Sequence, residues 1–383
     1  MRPWKCIAGI TGASLLLAAD FRAFPAFAIF WHAHIARPFA ALAASLSERL
    51  PFPLLEPLGF ALILCAAAGF CRGRKKGLAR LTAIVSILLT VYVLAWLPGY
   101  FVPMERVLVV QVAEETPNAA HAQTCTAVQD APVPTNTFSN PPRNDFPSES
   151  ALSPTAAKLE TLCLRLVDEL NASKLRFTGG KNALLQAAEA MNAAFGAGVS
   201  ENAVRFARYP EWMAALDLAG FYSPWTGEAL VSPNLSAAAL PFIACHELAH
   251  RLGIADEGAA NIAAWIACRQ SGGELADSAA LWALRYAMAG LRASDESAWR
   301  RCAQEMRPAL VRTFASMNGF SEASGAARSR FLLRGADSYA ALVPWLIEHP
   351  EAWESSLGSD SCPTKQRCAQ DMRPARRCEP SRP

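Results

Sequence analysis

The stretch LTAIVSILLTVYVLAWLPGYFV, Leu81 to Val102, carries no charge over 22 residues. About 20 such residues make a helix long enough to cross a bilayer, so this run limits the architecture more than any other feature. Two apolar runs precede it. Pro57–Cys71 reaches spanning length only if Pro51–Glu56 lie at the interface, and Cys6–Ala19 reads either as a first span or as the apolar region of a signal peptide. The chain is 52% hydrophobic and 18% charged, with the apolar excess in its first hundred residues.

Basic residues set the orientation. Arg72, Arg74, Lys75, Lys76 and Arg80 sit between the second and third runs. Such clusters stay in the cytoplasm, and Arg2 and Lys5 favour the same side for the N-terminus. Everything after about residue 103 is then expected outside the cytoplasm. The net charge of +3 is not gathered into a basic stripe with interleaved aromatics, so nothing points to nucleic acid. Eight of the eleven cysteines follow the last run, and an even number in an oxidising compartment permits disulfides. Cys245 and Cys268 lie inside apolar helical patterns and read equally as small buried hydrophobes.

The chain divides accordingly. Residues 1–103 form an anchor of two to three transmembrane helices. Within it, residues 20–56, with His32 and His34, are expected at the membrane–water interface rather than as ligands. Residues 104–156, rich in Pro, Thr, Ser and Asn, read as a linker. Residues 157–357 form a mostly helical domain, and 358–383 a basic, cysteine-bearing tail. Helical periodicity marks Ala157–Ser173, Lys181–Phe195, Asp277–Ala293, Asp295–Met317 with a kink at Pro308, and Ser338–Ile347. Leu218–Pro233 predicts a small β hairpin or edge strand around a Pro-x-Thr-Gly turn. The expected fold class is mainly α, with a helical domain and this one small β element behind the membrane anchor.

The segment LPFIACHELAHRLGIADEGAANIAAW, Leu240 to Trp265, carries the chemistry. Pro241 suits the first turn of a helix and Gly253 its end. His246 and His250 are four residues apart, so both rings leave the same helix face. Two imidazoles so placed can share a zinc ion, and Glu247 occupies the general-base position of His-Glu-x-x-His. A catalytic zinc takes a third protein ligand. Asp256 and Glu257 are the nearby acids. Asp256 suits the N-cap of the next helix, which leaves Glu257 on its first turn to reach the ion. Asn261, four residues on, can orient a ligand through its second ring nitrogen.

Glu-x-x-x-Asn after His-Glu-x-x-His resembles the Glu-x-x-x-Asp of the gluzincins, the thermolysin-like zinc metallopeptidases. That resemblance implies His246, His250 and Glu257 as ligands, Glu247 as base and Asn261 as the orienting residue. It departs by Asn for Asp and by a short connection between His250 and Glu257. A wider resemblance is to an uncharacterised bacterial family of membrane-anchored proteins read as zinc metallopeptidases, carried by GFYSPWTGEA (Gly220–Ala229), LPFIACHELAHRLG (Leu240–Gly253), EGAAN (Glu257–Asn261) and DSYAALVPWL (Asp337–Leu346). Here Arg251 stands where that family usually has Gln, and Ala259 where it usually has an acid.

The expectation is a multi-pass protein of the bacterial cytoplasmic membrane that binds Zn2+ and hydrolyses peptide bonds in a peptide or protein substrate outside the cytoplasm. Glu247 moves the proton, and Tyr339 or Tyr222 donates to the oxyanion. Glu228–Val231, entered through Thr226, Gly227 and Glu228, is expected to pair with an extended substrate as an edge strand. A competing reading is a zinc-binding but catalytically idle sensor or peptide-binding protein. A third is a structural membrane protein whose motif is accidental.

Overall fold

The computed structural model describes residues 3–103, 155–196, 198–317 and 341–350. The expected linker, the basic tail and Tyr339 fall almost wholly or wholly outside these residues.

The first part is a layer of apolar helices. Helix α1 (Pro3–Ala23) packs on α5 (Arg74–Ala95), and so does α4 (Leu55–Cys71). Ser14 and Thr90 share a hydrogen bond of 3.0 Å, and Thr11 donates to Ser86 at 2.9 Å, so α1 and α5 meet through hydroxyls. One helical stretch, Arg74–Phe101, is long and apolar enough to cross a membrane. Ile7–Ala23 and Pro25–Glu48 pass that test only as a pair, and the pair is bent by 116°. Between α1 and α4 lie α2 (Pro25–Trp31), a π-helical turn (His32–Ala36) and α3 (Arg37–Glu48). Pro25 ends α1, because a proline ring cannot donate the next helical bond.

The second part is mainly helical. Its elements are α6 (Ala156–Ala172), α7 (Gly180–Phe195), β1 (Val204–Phe206), α8 (Glu211–Ala215), β2 (Gly220–Ser223), β3 (Glu228–Val231), α9 (Leu240–Arg251), α10 (Glu257–Ser271), α11 (Gly273–Ser294), α12 (Glu296–Gln304), α13 (Pro308–Ser316) and α14 (Leu342–Glu348). Helix α9 is the core element: every residue from Leu240 to His250 is buried. It packs against α7, α10 and α11 on one side and the sheet on the other. Its start is held by α11. The Ser278 hydroxyl donates to the Ala238 carbonyl at 2.7 Å and accepts from the Phe242 N–H at 3.2 Å, and the Trp282 indole N–H donates to Ala239.

Two expectations are corrected. Glu228–Val231 is not an edge strand. The sheet order is β1-β3-β2, with β3 parallel to β1 (Val204 opposite Ala229) and antiparallel to β2 (Gly220 opposite Val231). A centre strand with partners on both sides has no open edge for a peptide. Asp295–Met317 is two helices rather than one kinked helix, because Arg307, in extended conformation, separates α12 from the Pro-initiated α13. Asp295 caps α12 by accepting from the Ala298 N–H at 3.0 Å. The paired cysteines of the core are thiols: Cys245 and Cys268 are fully buried, 3.5 Å apart and unbonded, and Cys163 and Cys302 are likewise buried and free.

Candidate metal centre

The site is built at the C-terminal end of α9. Helical spacing brings His246 and His250 onto one face, and the chain turns at Gly253, whose φ of +94° suits glycine. It re-enters helix at Asp256, which accepts from the Ala259 N–H at 2.9 Å as an N-cap. With Asp256 so used, the next residue, Glu257, points back at the histidines.

The three ligand atoms converge. His246 Nε2 lies 3.1 Å from Glu257 Oε2, His250 Nε2 lies 3.3 Å from the same oxygen, and the two Nε2 atoms are 3.1 Å apart. Four-coordinate zinc with ligands at about 2.0–2.1 Å puts neighbouring ligand atoms about 3.3 Å apart, so the triangle is nearly one face of that tetrahedron. Among the described residues this is the only group of three His, Cys, Asp or Glu side chains gathered closely enough to hold a metal ion. The imidazoles are nearly closed off, at 6% and 5% exposure, whereas the Glu257 side chain is 25% exposed. The centre therefore opens on its carboxylate side.

The His250 Nδ1–H donates to the Ile254 carbonyl at 2.6 Å, which turns the Nε2 lone pair inward. Asn261, buried on α10, hydrogen-bonds His246. Burial alone would lower the basicity of both imidazoles, and it does lower that of His246. At His250 burial is outweighed by the Glu257 carboxylate, and the pKa rises to about 9. Burial would raise the Glu257 carboxyl, but the two histidines hold it well below the usual range. A partly buried carboxylate facing two buried imidazoles is a donor set suited to a cation.

Glu247, also buried, sits beside β2. A Cβ on Gly220 would lie 2.2 Å from Glu247 Oε1, so the backbone of β2 runs against this carboxylate. The residues expected to meet substrate are used otherwise. The Thr226 hydroxyl donates to Ser223 at 2.9 Å, and a Cβ on Gly227 would meet the Ala44 nitrogen at 2.5 Å. Buried Glu228 accepts from the Leu54 and Leu55 N–H groups at 2.7 and 2.8 Å, at the start of α4. Tyr222 is buried with its ring against Trp96, centroids 5.0 Å apart. Ala259 is buried and offers no ligand atom. His32 is buried against Gly253 and lies outside the candidate ligand set, while His34 is exposed with its ring tilted against Phe30.

Sequence reasoning missed three contributors. Trp96, the residue that follows α5, lies against His250, the Ile254 carbonyl accepts from His250 Nδ1–H, and Gly220 gives Glu247 room. Arg251, the departure noted in the sequence, pairs with Glu48 of α3 and donates to the Gly227 carbonyl at 2.8 Å.

Fold and site together define a class: a mainly helical protein with an apolar N-terminal helical layer and a buried His-His-Glu cluster able to hold a metal ion. Residues 137–341, more than half the chain, match the family described as "Protein of unknown function (DUF3810)", and the chain belongs to that family. No curated protein and no solved structure matches it.

Proposed function

We propose that the chain is a membrane-anchored, zinc-dependent peptidase of gluzincin type that hydrolyses peptide bonds outside the cytoplasm. The observation that carries this reading is the convergence of His246 Nε2, His250 Nε2 and Glu257 Oε2 to within 3.1–3.3 Å on a His-Glu-x-x-His and Glu-x-x-x-Asn frame. These three side chains would hold the ion, and Asn261 and the Ile254 carbonyl orient the two rings. Zinc bound there would make a water acidic and polarise a carbonyl. Glu247 takes the proton of the attacking water and passes it to the departing amine. Burial of the centre keeps bulk water away from that transfer. Tyr339 is the proposed oxyanion donor. An extended substrate would add to β2, the sheet edge beside Glu247, instead of β3.

The test uses the full chain in detergent, because anchor residues touch the site. Zinc would be measured by mass spectrometry in wild type, Glu247→Gln, His246→Ala and Glu257→Ala, and each protein incubated with a peptide library. One zinc per chain in the first two, little in the others, and cleavage by wild type alone are expected. No stoichiometric zinc in wild type sinks the reading. Zinc without cleavage would favour the idle, peptide-binding alternative.

A further inference from the structure

We infer that the metal centre is fixed at the level of the bilayer surface, and that its substrates are polypeptides tethered in the same bilayer and cut within a few residues of that surface. This rests on the peptidase reading above and names its substrate class.

The depth follows from α5. From Arg80, the last charged residue before the uncharged run, to Trp96 is 96 − 80 = 16 residues. At about 1.5 Å per residue this is about 24 Å, and the long Arg80 side chain can reach back to the headgroups, so Trp96 falls close to the far boundary of the roughly 30 Å hydrocarbon layer, where tryptophan is favoured. It is this residue that meets the ligand His250, with ring centroids 5.7 Å apart. A Cβ on Gly99, three residues on, would lie 2.9 Å from Ala255, between His250 and Glu257. The metal ligands are level with the end of the apolar helix, not raised above it. The hairpin reaches lower still: the Trp225 indole N–H donates to the Leu88 carbonyl at 3.0 Å.

The stretch Pro25–Glu48 gives the same level independently. It runs across α1 after a bend of 116°. One face carries exposed Phe27, Phe30, Phe39, Leu42 and Leu46, at helical spacing. The opposite face holds the metal domain, with His32 and Arg37 against Gly253, Ala44 against Gly227 and Glu48 on Arg251. An apolar stripe on a helix lying across a bundle is the pattern of a helix seated in the interface. Its occupant is lipid, because α1, α4 and α5 also expose large apolar side chains, Leu16, Leu64 and Ile87 among them, as helices facing a bilayer do.

The domain cannot lift away to reach distant bonds. Glu228 holds the N-terminus of α4, Glu56 of α4 accepts from the Arg208 and Tyr209 N–H groups and the Trp212 indole, and Arg205 donates to the Ser47, Leu50 and Phe52 carbonyls. Three clamps, two at the start of α4 and one on the α3–α4 connection, hold the domain down on the helical layer.

The test uses the full chain with zinc, reconstituted in phosphatidylethanolamine–phosphatidylglycerol vesicles. The probes are one degenerate peptide library in three forms: free, on a lipid anchor through a short spacer, and on the same anchor through a long Gly-Ser spacer. Cleavage sites are mapped by mass spectrometry, with Glu247→Gln as the blank. Cuts should cluster within about five residues of the anchor, and the short-spacer form should be cut at least tenfold faster than the long. Tethering alone raises local concentration for both anchored forms, so the position of the cuts decides. Equal cutting of the free form, or cuts spread along the long spacer, overturns the inference and leaves the peptidase reading standing. No cutting of any form overturns both. A second readout is independent of turnover. Bimane on Leu42→Cys or Leu46→Cys, with the other reactive cysteines changed to serine, should be quenched by lipids brominated near the headgroup. Emission unaffected by those lipids would refute the interfacial seat.

Discussion

The Trp96 indole stands edge-on to the His250 imidazole, with centroids 5.7 Å apart and planes at 67°. One residue belongs to the long apolar helical stretch Arg74–Phe101 and the other to the His-His-Glu cluster. His250 is also tied to the Ile254 carbonyl, so the ring is held by a hydrogen bond and an aromatic contact together. Replacing Trp96 by Ala removes that contact and lets the ring swing. Loss of a group that orients a metal ligand typically costs 10- to 100-fold in metal affinity. The expected outcome for Trp96→Ala is a fall of about tenfold, read by competition with a chromophoric chelator on the full chain. Trp96→Phe should keep most of the affinity.

Metal removal should destabilise the folded chain. Without a cation, the cluster buries two imidazoles against a carboxylate. An ion that binds only the folded state stabilises it by about 2.7 kcal/mol at a hundred times its dissociation constant. Chelation should therefore lower the melting temperature, and zinc should restore it. In His246→Ala neither addition should move the transition. A wild-type melting temperature indifferent to chelator would count against a resident ion.

How much of this was legible beforehand depends on distance along the chain. The His246–His250 pair, the Asp256 cap and the placement of Glu257 and Asn261 are local consequences of helix period and turn chemistry, and a reader of Leu240–Trp265 can set them out. The helices of the second part were legible for the same reason, since burial at 3.6-residue spacing shows in the letters. The sheet was not. β1 is three residues, Val-Arg-Phe, with too little alternation to announce a strand. Its parallel pairing to β3 spans a helix and a second strand, so the identity of the edge depended on a contact no local pattern records. Trp96, Glu48 and Glu56 escaped notice because the N-terminal helices read as a separate body. Their polar groups make sense only once they are seen facing Arg251, Arg208 and Tyr209.

Gly220 should be a sharp test of the role of Glu247. A methyl group there would sit 2.2 Å from Glu247 Oε1 and 2.6 Å from its Cγ, closer than any real contact. The carboxylate must then move by an ångström or more, while His246, His250 and Glu257 are untouched. Misplacement of a catalytic group on that scale costs about 100-fold in rate. Gly220→Ala should therefore retain one zinc per chain and lose about two orders of magnitude in kcat, measured on whichever library peptide wild type cuts. Full activity with zinc bound would mean that Glu247 is not the base.

The Arg251–Glu48 pair joins the residue after the last histidine of α9 to the end of α3, and Arg251 also donates to the Gly227 carbonyl. Both side chains are largely buried, at 11% and 20% exposure. Removing either partner leaves the other short of its hydrogen bonds at a site water reaches poorly. Single changes should thus each destabilise by about 1–3 kcal/mol. Because the two act on one interaction, the double change should cost less than the sum, with a coupling of about 0.5–3 kcal/mol. The measurement is a double-mutant cycle on Arg251→Ala and Glu48→Ala by chemical unfolding in detergent, repeated with Arg251→Gln. Glutamine keeps a donor for the Gly227 carbonyl but loses the charge, so it should recover only part of the loss. Additive effects would mean that the N-terminal helices and the second part are not joined through this pair, and that the junction rests on Glu228, Glu56 and Arg205 instead.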